Sequence, residues 1–211
     1  MRMRFFIFIL ITLITQRTFA QNKINLAPSW KNQITNELKP FFPTTEGQVE
    51  DILEGEVISS SKVSSPSDKE QQLMLFTVGV HPRSCIRAMR KLSMYENYNQ
   101  YVGFIKKSDY DAKNERLTFN IDHALLPFPM VMSFKIPRIT KAGVYPFIFE
   151  NGFLKDLKGS IIVKDAGAHC LMALKTDWRG PETKIPNLAF EAFLQTAGKL
   201  GLEHLIRVSL F

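Results

Sequence analysis

Residues 116–136 read RLTFNIDHALLPFPMVMSFKI, and this stretch decides the fold. On either side of its two prolines, apolar and polar side chains alternate, and successive side chains of a strand point to opposite faces of a sheet. The stretch therefore predicts two strands, Arg116–Leu125 and Met130–Ile136, each with one dry and one wet face. The dry faces carry Leu117, Phe119, Ile121, His123 and Leu125 on the first strand and Met130, Met132, Phe134 and Ile136 on the second.

The alternation continues outward along the chain. Tyr145, Phe147 and Phe149 repeat it, and the segment from residue 169 to residue 178 places Cys170, Met172, Leu174, Thr176 and Trp178 on one face. Further strands are expected over 55–63, 71–80, 101–108 and 160–164, with turn residues between them, including a turn over 64–68. No helix-length amphipathic stretch interrupts the strands between residues 101 and 185, so the order predicts an antiparallel meander.

Two helices are expected around this sheet. A short one follows Ser84 and ends near Met94, and a long one spans about 185–208, with Pro186 in its first turn, where a missing N–H costs nothing. At 100° per residue the long helix has an apolar stripe opposite a polar stripe. The apolar stripe contains Phe190, Phe193, Leu194, Ala197, Gly201, His204 and Leu205, and the polar stripe contains Glu191, Gln195, Lys199 and Glu203.

The economical architecture is an α+β fold, in which a curved antiparallel sheet wraps around the long C-terminal helix and buries its apolar stripe. A charge on that stripe would be buried without a partner. Phe193→Asp is therefore expected to destabilise the fold strongly.

The N-terminus predicts export. Residues 1–4 are Met-Arg-Met-Arg, residues 5–14 are apolar, and Thr18-Phe19-Ala20 ends the segment, which is the pattern of a cleaved signal peptide over 1–20. The apolar run of about ten residues is half of the roughly 20 needed to span a bilayer, so an uncleaved anchor is the alternative. Residues 21–54 are expected to form an extension with a short helix at Ser29–Leu38, followed by the folded domain over 55–211. The mature protein is expected to be periplasmic or secreted.

The charge is moderate and dispersed. The chain has 27 Lys and Arg against 20 Asp and Glu, a net charge of +7. Removing Arg2, Arg4 and Arg17 leaves 24 against 20, or +4. Without a basic run or interleaved aromatic platform, nucleic acid is not an expected partner, whereas a transient contact with an anionic membrane surface is permitted. The sequence carries no signal for an oligomeric state.

Few residues suggest chemistry. The histidines at 81, 123, 169 and 204 lack the companions of a metal motif, and no nucleophile elbow, Walker loop or dinucleotide fingerprint is present. No catalytic residue, metal or cofactor is therefore nominated. Cys85 and Cys170 could form a disulfide in an exported protein, but they fall on different elements, so two unpaired buried cysteines are the favoured interpretation.

Residues 92–102 read LSMYENYNQYV. This segment resembles the D-Y-E-N-Y-P-x-F junction between the first helix and the sheet in Coq10-type and polyketide cyclase/dehydrase-like proteins of the START/Bet v 1 (SRPBCC) superfamily. Met94 replaces the usual Asp and Asn99 the usual Pro. The resemblance covers about residues 55–208 and implies the helix-grip fold, with a cavity between sheet and last helix for a lipid, quinone, sterol or polyketide.

Flexible Met and large Phe side chains suit an adaptable apolar pocket, which favours an exported, non-enzymatic carrier of a hydrophobic small molecule. One alternative is an enzyme of the cyclase/dehydratase type, with His123 or Tyr145 as its proton-transfer group; another is an interaction protein with a solid core. The expected ligand-binding residues are Phe119, Ile121, His123, Met130, Met132, Phe134, Tyr145, Phe147, Phe149, Met172, Leu174, Trp178, Phe190, Phe193, Leu194 and Ala197.

Overall fold

In the part of the chain that the structure describes, eight strands form one open sheet in the spatial order β1-β2-β8-β7-β6-β5-β4-β3, and every neighbouring pair is antiparallel. The strands are β1 (Ile58–Ser67), β2 (Glu70–His81), β3 (Ile105–Asp111), β4 (Arg116–Ile121), β5 (Met130–Lys135), β6 (Gly143–Phe149), β7 (Lys158–Ala166) and β8 (His169–Pro181). The computed structural model describes residues 32, 36, 46–122, 129–152, 154–183 and 185–210.

The helices are α1 (Glu46–Leu53), α2 (Cys85–Leu92), α3 (Tyr98–Tyr101) and α4 (Asn187–Val208), with a 3₁₀ turn at Tyr95–Asn97. The curved antiparallel sheet and long C-terminal helix confirm the predicted α+β helix-grip architecture. The predicted signal peptide over 1–20 lies outside the described residues, as does nearly all of the helix expected at Ser29–Leu38.

Two local predictions are wrong. The turn expected over 64–68 is mostly strand, because β1 pairs with β2 through a register shift between Ser64 and Ser67. The strand expected over 101–108 begins only at Ile105, since residues 95–101 form helical turns. Tyr95 is buried in the core, and that tertiary contact outweighs the local sequence pattern.

The sheet has a different core on each face. On the concave face, Leu73 and Leu75 of β2 join the main core beneath α4. On the outer face, Phe76, Val78 and Val80 alternate with them and pack against α1. The extension predicted over 21–54 thus includes a helix that covers the outer face of the sheet.

The start of α4 is fixed by the buried Gln71. Its amide nitrogen donates to Asn187 Oδ1 at 2.8 Å, and its amide oxygen accepts from the hydroxyl of Thr183 at 2.7 Å. Because both ends of this buried amide are bonded, the loop that leads into α4 is held against β2.

A covalent bond ties α2 to the sheet. Cys85, the first residue of α2, and Cys170 of β8 form a disulfide, with Cα atoms 4.7 Å apart. The favoured interpretation of two unpaired cysteines is therefore wrong. Eighty-five residues separate the two in sequence, and only the packing of α2 on β7 and β8 brings them together.

The apolar stripe of α4 is rotated from its predicted position. Phe190 and Leu194 are buried as expected, but Phe193 is 39% exposed and Ala197 is exposed. Glu191, expected on the wet side, faces β1: its main-chain oxygen accepts from the Ser61 hydroxyl, and its carboxylate accepts from the main-chain N–H of Val63. Small residues, rather than Phe193 and Ala197, make the nearest approach to the sheet.

Candidate functional site

The concave face has a filled half, which lies beneath α4. Phe190, Leu194, Trp178, Met172 and Phe147 are all buried there. Phe190 is 1% exposed and Trp178 is 2% exposed. The Trp178 indole N–H donates to the main-chain oxygen of Lys155 at 2.9 Å, so the one polar atom of this core ring is satisfied.

Helix α4 touches the sheet of the filled half through glycine. A Cβ built on Gly198 would lie 2.6 Å from Thr77 Oγ1 and 2.9 Å from Ser59 Oγ, which are themselves 2.9 Å apart. About two turns further along α4, at Ile206, a Cβ on Gly79 of β2 would lie 3.2 Å from that side chain. Helix and sheet are thus in direct contact over β1 and β2, with no space for a ligand between them.

The other half of the concave face carries a continuous series of rings, which we call the aromatic wall. It runs from Tyr98 through Phe119 of β4 and Phe134 of β5 to Phe149 of β6, which borders the buried Phe147 of the filled half at 6.0 Å. Successive ring centroids of the wall are 5.9, 5.4 and 4.3 Å apart. These are the usual separations of interacting aromatic rings, so neighbouring rings support one another across three strands.

The aromatic wall is only half covered. Tyr98, Phe119, Phe134 and Phe149 are half-buried, whereas the side chains of the filled half are buried. Helix α4 packs on β1, β2, α2 and α3, so it leaves β4 to β6 largely uncovered. Among the described residues, the wall is therefore incompletely covered, and we call the space between it and α4 the groove.

One flank of α4 faces this groove. Glu191 contacts β1, and Lys199 pairs with Glu56 just before β1, at 3.4 Å. Phe193 and Ala197 lie about 120–160° away from these two residues around the helix, at 100° per residue. Since β1 is the edge strand of the sheet, the two residues lie on the flank of α4 that is nearer to the other strands, and both are exposed there.

Residues 92–102 fix one end of the groove. The Tyr98 hydroxyl donates to the main-chain oxygen of Leu92 at 2.7 Å, and the Tyr95 hydroxyl donates to the main-chain oxygen of Pro137 at 3.0 Å. Burial raises the pKa of both hydroxyls well above the ordinary value of 10. Both stay protonated and bonded to the main chain, so they are positioning groups rather than acids.

Arg138 packs on the tyrosine rings at this end of the groove. The Arg138 guanidinium carbon lies 4.4 Å from the centre of the Tyr110 ring and 5.6 Å from that of Tyr95. The guanidinium also donates to the main-chain oxygen of Ser93 and, at 3.0 Å, to Glu96. The pKa of the Glu96 carboxyl is lowered, mainly by a hydrogen bond with its own main chain and also by this pairing with Arg138. The conformation of the junction therefore depends on the tyrosines and the glutamate that carry the resemblance.

Polar groups on the concave face are few. The Tyr145 hydroxyl donates to the main-chain oxygen of Lys141 at 2.8 Å, so its hydrogen is engaged. Thr176 of β8 is buried, and its hydroxyl has no hydrogen-bond partner in the described part of the chain. It is the side chain on this face best placed to gain a bond from a ligand or water.

The predicted site residues divide into four groups. Phe147, Met172, Trp178, Phe190 and Leu194 lie in the filled core. The half-buried residues are Phe119, Ile121, Met130, Met132, Phe134, Tyr145, Phe149 and Leu174. Phe193 and Ala197 lie on the exposed flank of α4, and His123 lies outside the described residues. The structure thus brings the second group together on the half-covered part of the sheet, whereas it buries the first group.

Sequence analysis did not nominate Tyr98, the first ring of the aromatic wall. Residues 92–102 were used only as a family signature, although a tyrosine at a helix-to-sheet junction can reach the concave face. Tyr98 stands in the segment quoted for the resemblance, but the sequence pattern did not predict a helical turn there. It is the turn over residues 98–101 that places the Tyr98 ring against Phe119.

A pocket of about 320 Å³ lies elsewhere, around Lys62, Gln72, Met74, Asp177 and Arg179. Met74 pairs in register with Lys62 and Asp177, so these three side chains point to the outer face of the sheet. Exposed charges border the pocket, including Arg179, which forms an ion pair with Glu70. Trp178, one of the predicted ligand-binding residues, also contributes to its lining, but no ring of the aromatic wall does.

No three histidine, cysteine or acidic side chains in the ranges 46–122, 129–152, 154–183 and 185–210 are grouped closely enough to hold a metal ion. Over the same part of the chain, no helix has both the length and the apolar character needed to cross a bilayer.

No protein-family model matches the chain, and no curated protein does. Solved structures match its fold. The Zhui aromatase/cyclase from Streptomyces sp. R1128 aligns with a TM-score of 0.54 at 9% identity, over 65% of this chain and 93% of that one. An uncharacterized protein from Bacillus thuringiensis gives 0.51 at 12%, over 65% and 99%. Ara h 8.0201 gives 0.50 at 7%, over 66% and 98%.

At these identities the likeness concerns the fold alone. It agrees with the element order and sheet topology, and the chain has the helix-grip fold of START and Bet v 1 proteins. The resemblance predicted from residues 92–102 is thereby confirmed at the level of fold.

Proposed function

We propose that the chain is an exported carrier that binds a hydrophobic small molecule, such as a lipid, quinone or polyketide-like compound, in the groove beside α4. The observation that carries the proposal is the half-covered aromatic wall from Tyr98 to Phe149. A folded protein that needed only a solid core would bury these rings as it buries Phe190.

The energetics favour an apolar ligand. Covering the wall removes apolar surface of both ligand and protein from water, which is worth about 25 cal/mol per Å². Met130 and Met132 flank the wall on β5, and their flexible side chains can adapt to ligands of different shape. The few polar groups on this face can orient a ligand but supply little affinity, which is typical of hydrophobic-ligand sites.

The groove offers no acid/base pair within the described residues, and this favours binding over turnover. Catalysis of proton transfer needs a titratable side chain within hydrogen-bond reach of the substrate. Tyr145 is bonded to the main chain of Lys141, and the tyrosines at 95 and 98 have pKa values raised by burial. A carrier is therefore the better supported function.

Export is part of the proposal, and two features support it. Residues 1–20 have the pattern of a signal peptide. The bond between Cys85 and Cys170 is of the kind that persists in oxidising compartments and is rare in a reducing cytosol.

Adjacent residues of β5 provide a matched test. Met132 faces the groove, whereas Val131 points to the outer face and is 53% exposed. Titration with the fluorescent fatty acid cis-parinaric acid is expected to give saturable binding to the natural protein. Met132→Gln is expected to weaken that binding about tenfold, since it exchanges apolar for polar surface at the wall.

Val131→Gln is the control, because it makes the same kind of change on the same strand without touching the groove. It is expected to leave the affinity unchanged. Equal affinities for the two variants, or no saturable binding to the natural protein, would count against the groove. In a separate experiment, organic extraction of natively purified protein, followed by mass spectrometry, would identify the natural ligand.

A further inference from the structure

Helix α2 has an exposed face that none of the preceding functions uses. Ile86, Arg87 and Arg90 lie on α2 and are exposed, with positions 86 and 87 four and three residues before position 90. Arg83, just before the helix, and Met94, just after it, are also exposed and extend this spacing at both ends. Residues at this spacing share one side of a helix. The opposite side of α2 is buried in the main core, through Cys85, Ala88, Met89 and Leu92.

This face carries both basic and apolar side chains. Ile86, which is 69% exposed, lies between Arg83 and Arg87 in the sequence, and Met94, which is 42% exposed, follows Arg90. None of the arginines at 83, 87 and 90 has an ion-pair partner among the described residues, and α2 contains no acidic residue. Glu96, the nearest acid along the chain after the helix, is paired with Arg138.

We infer that this face of α2 docks on the surface of a bilayer that contains anionic phospholipid. The guanidinium groups match lipid phosphates, and the exposed apolar side chains match the region beneath the headgroups, so one partner satisfies both. Nucleic acid fits the arginines but not Ile86 and Met94, and no exposed aromatic ring lies between the arginines to stack on a base.

The surroundings of α2 suit a docking helix. The disulfide from Cys85 to Cys170 holds it on β8, so it can meet a membrane without leaving the core. Its last residue, Leu92, accepts the hydrogen bond from Tyr98, the first ring of the aromatic wall. Docking through α2 would therefore bring this end of the groove to the lipid surface.

The test uses the protein as purified after export from the full chain, without added ligand, and vesicles of phosphatidylcholine with or without phosphatidylglycerol. Binding is expected only to the anionic vesicles and is expected to weaken as salt is added. Each basic residue near an anionic surface contributes about fivefold to partitioning. The triple variant Arg83→Gln, Arg87→Gln, Arg90→Gln is expected to bind about 100-fold more weakly.

The charge-matched control removes three exposed lysines far from α2, on β3, in the turn between β3 and β4, and on β5, through Lys107→Gln, Lys113→Gln and Lys135→Gln. It is expected to weaken binding by only a few-fold, through the loss of net charge. Equal losses in the two triple variants would overturn the inference. So would equal binding to neutral and anionic vesicles, or tighter binding to duplex DNA or RNA than to vesicles.

A local probe tests insertion without removing charge. Ile86→Trp is expected to shift its fluorescence emission to shorter wavelength when anionic vesicles are added. Val144→Trp, at a 63% exposed position on β6, is expected to show no shift. Equal shifts, or none at position 86, would overturn docking through α2.

The carrier and docking proposals fail separately. Met132→Gln is expected to leave vesicle binding unchanged, because residue 132 lies on β5 and not on α2. Loss of fatty-acid binding with vesicle binding intact would count against the carrier alone. Intact fatty-acid binding without vesicle binding would count against docking alone.

Discussion

The two halves of the concave face come from one sheet but differ in what covers them. Over β1 and β2, glycine and hydroxyl side chains let α4 reach the strands directly, and the side chains around it are buried. Over β4 to β6, large aromatic side chains form the wall and the helix does not cover them. Small residues thus fix the helix at one side, and its position leaves the other side open.

The largest expected difference is between two phenylalanines of α4. Phe190→Ala is expected to lower the free energy of unfolding by about 3–5 kcal/mol, because it leaves a cavity in the filled half. Phe193→Ala is expected to lower it by less than about 1 kcal/mol, because that side chain is already partly in water. Urea denaturation of the two variants measures both values.

Similar losses for these two variants would mean that Phe193 is as fully packed as Phe190. The proposed distinction between the filled half and the groove side of α4 would then be wrong. Phe193→Asp, expected from sequence to be severe, is expected on the structure to be mild.

Two glycines of α4 test how closely the helix is seated. Gly198→Ala is expected to destabilise by about 1–3 kcal/mol, because its Cβ would overlap the hydroxyls of Thr77 and Ser59. Gly201→Ala meets no atom within 4 Å and is expected to stabilise by about 0.5–1 kcal/mol through helix propensity. Thermal denaturation of the two variants measures both effects. Stabilisation by both substitutions would refute the close contact of Gly198 with Thr77 and Ser59.

At the boundary between the halves, Thr176→Val removes a buried hydroxyl that has no partner among the described residues. The shape of the side chain is retained, so this change is expected to raise the free energy of unfolding by about 1 kcal/mol. If ligands use the hydroxyl, cis-parinaric acid also binds less tightly. A destabilised variant would show instead that the hydroxyl is already satisfied in the folded protein.

The smallest effect concerns pH and lies beneath the end of α4. His81 is buried, and burial is the main cause that lowers the pKa of its imidazole below the ordinary value of 6.5. The nearby charges of Arg83 and His169 also lower this pKa, whereas hydrogen bonds with the main chain of Arg83 and Ser209 oppose the shift. The unfolded chain then takes up the proton first as pH falls, so this contribution to stability is full above about pH 6.5 and declines below it.

The melting temperature is therefore expected to drop less in His81→Gln than in the natural protein between about pH 7.5 and about pH 5.5. Other titrating groups affect both proteins equally, so the difference reports on residue 81. An identical drop in the two proteins would show that His81 does not contribute.

The open half could be predicted from sequence better than the filled half. Phe119, Phe134 and Phe149 alternate with outward residues at a period of two, and this period determines the face of a strand whatever packs above it. The filled half depends on contacts between distant segments. Gly198 gives no hydrophobic signal, yet its approach to Thr77 and Ser59 sets the rotation of α4.

The disulfide and the helical turn at residues 98–101 were missed for the same kind of reason. Neither follows from a local pattern. Cys85 and Cys170 meet because α2 packs on β8, and Tyr98 reaches the wall because Tyr95 is anchored between Pro137 and Ile139. Sequence alone therefore defined the fold and the aromatic face but not the closing contacts.

The central claim, that the groove beside the aromatic wall takes a hydrophobic ligand, is tested most directly by NMR with a spin-labelled fatty acid. The account predicts that amide signals of β4, β5 and β6 broaden on binding, while those of Ser59 to Val63, beneath α4, do not. Broadening centred on Lys62, Met74 and Asp177, or no broadening at all, would contradict it.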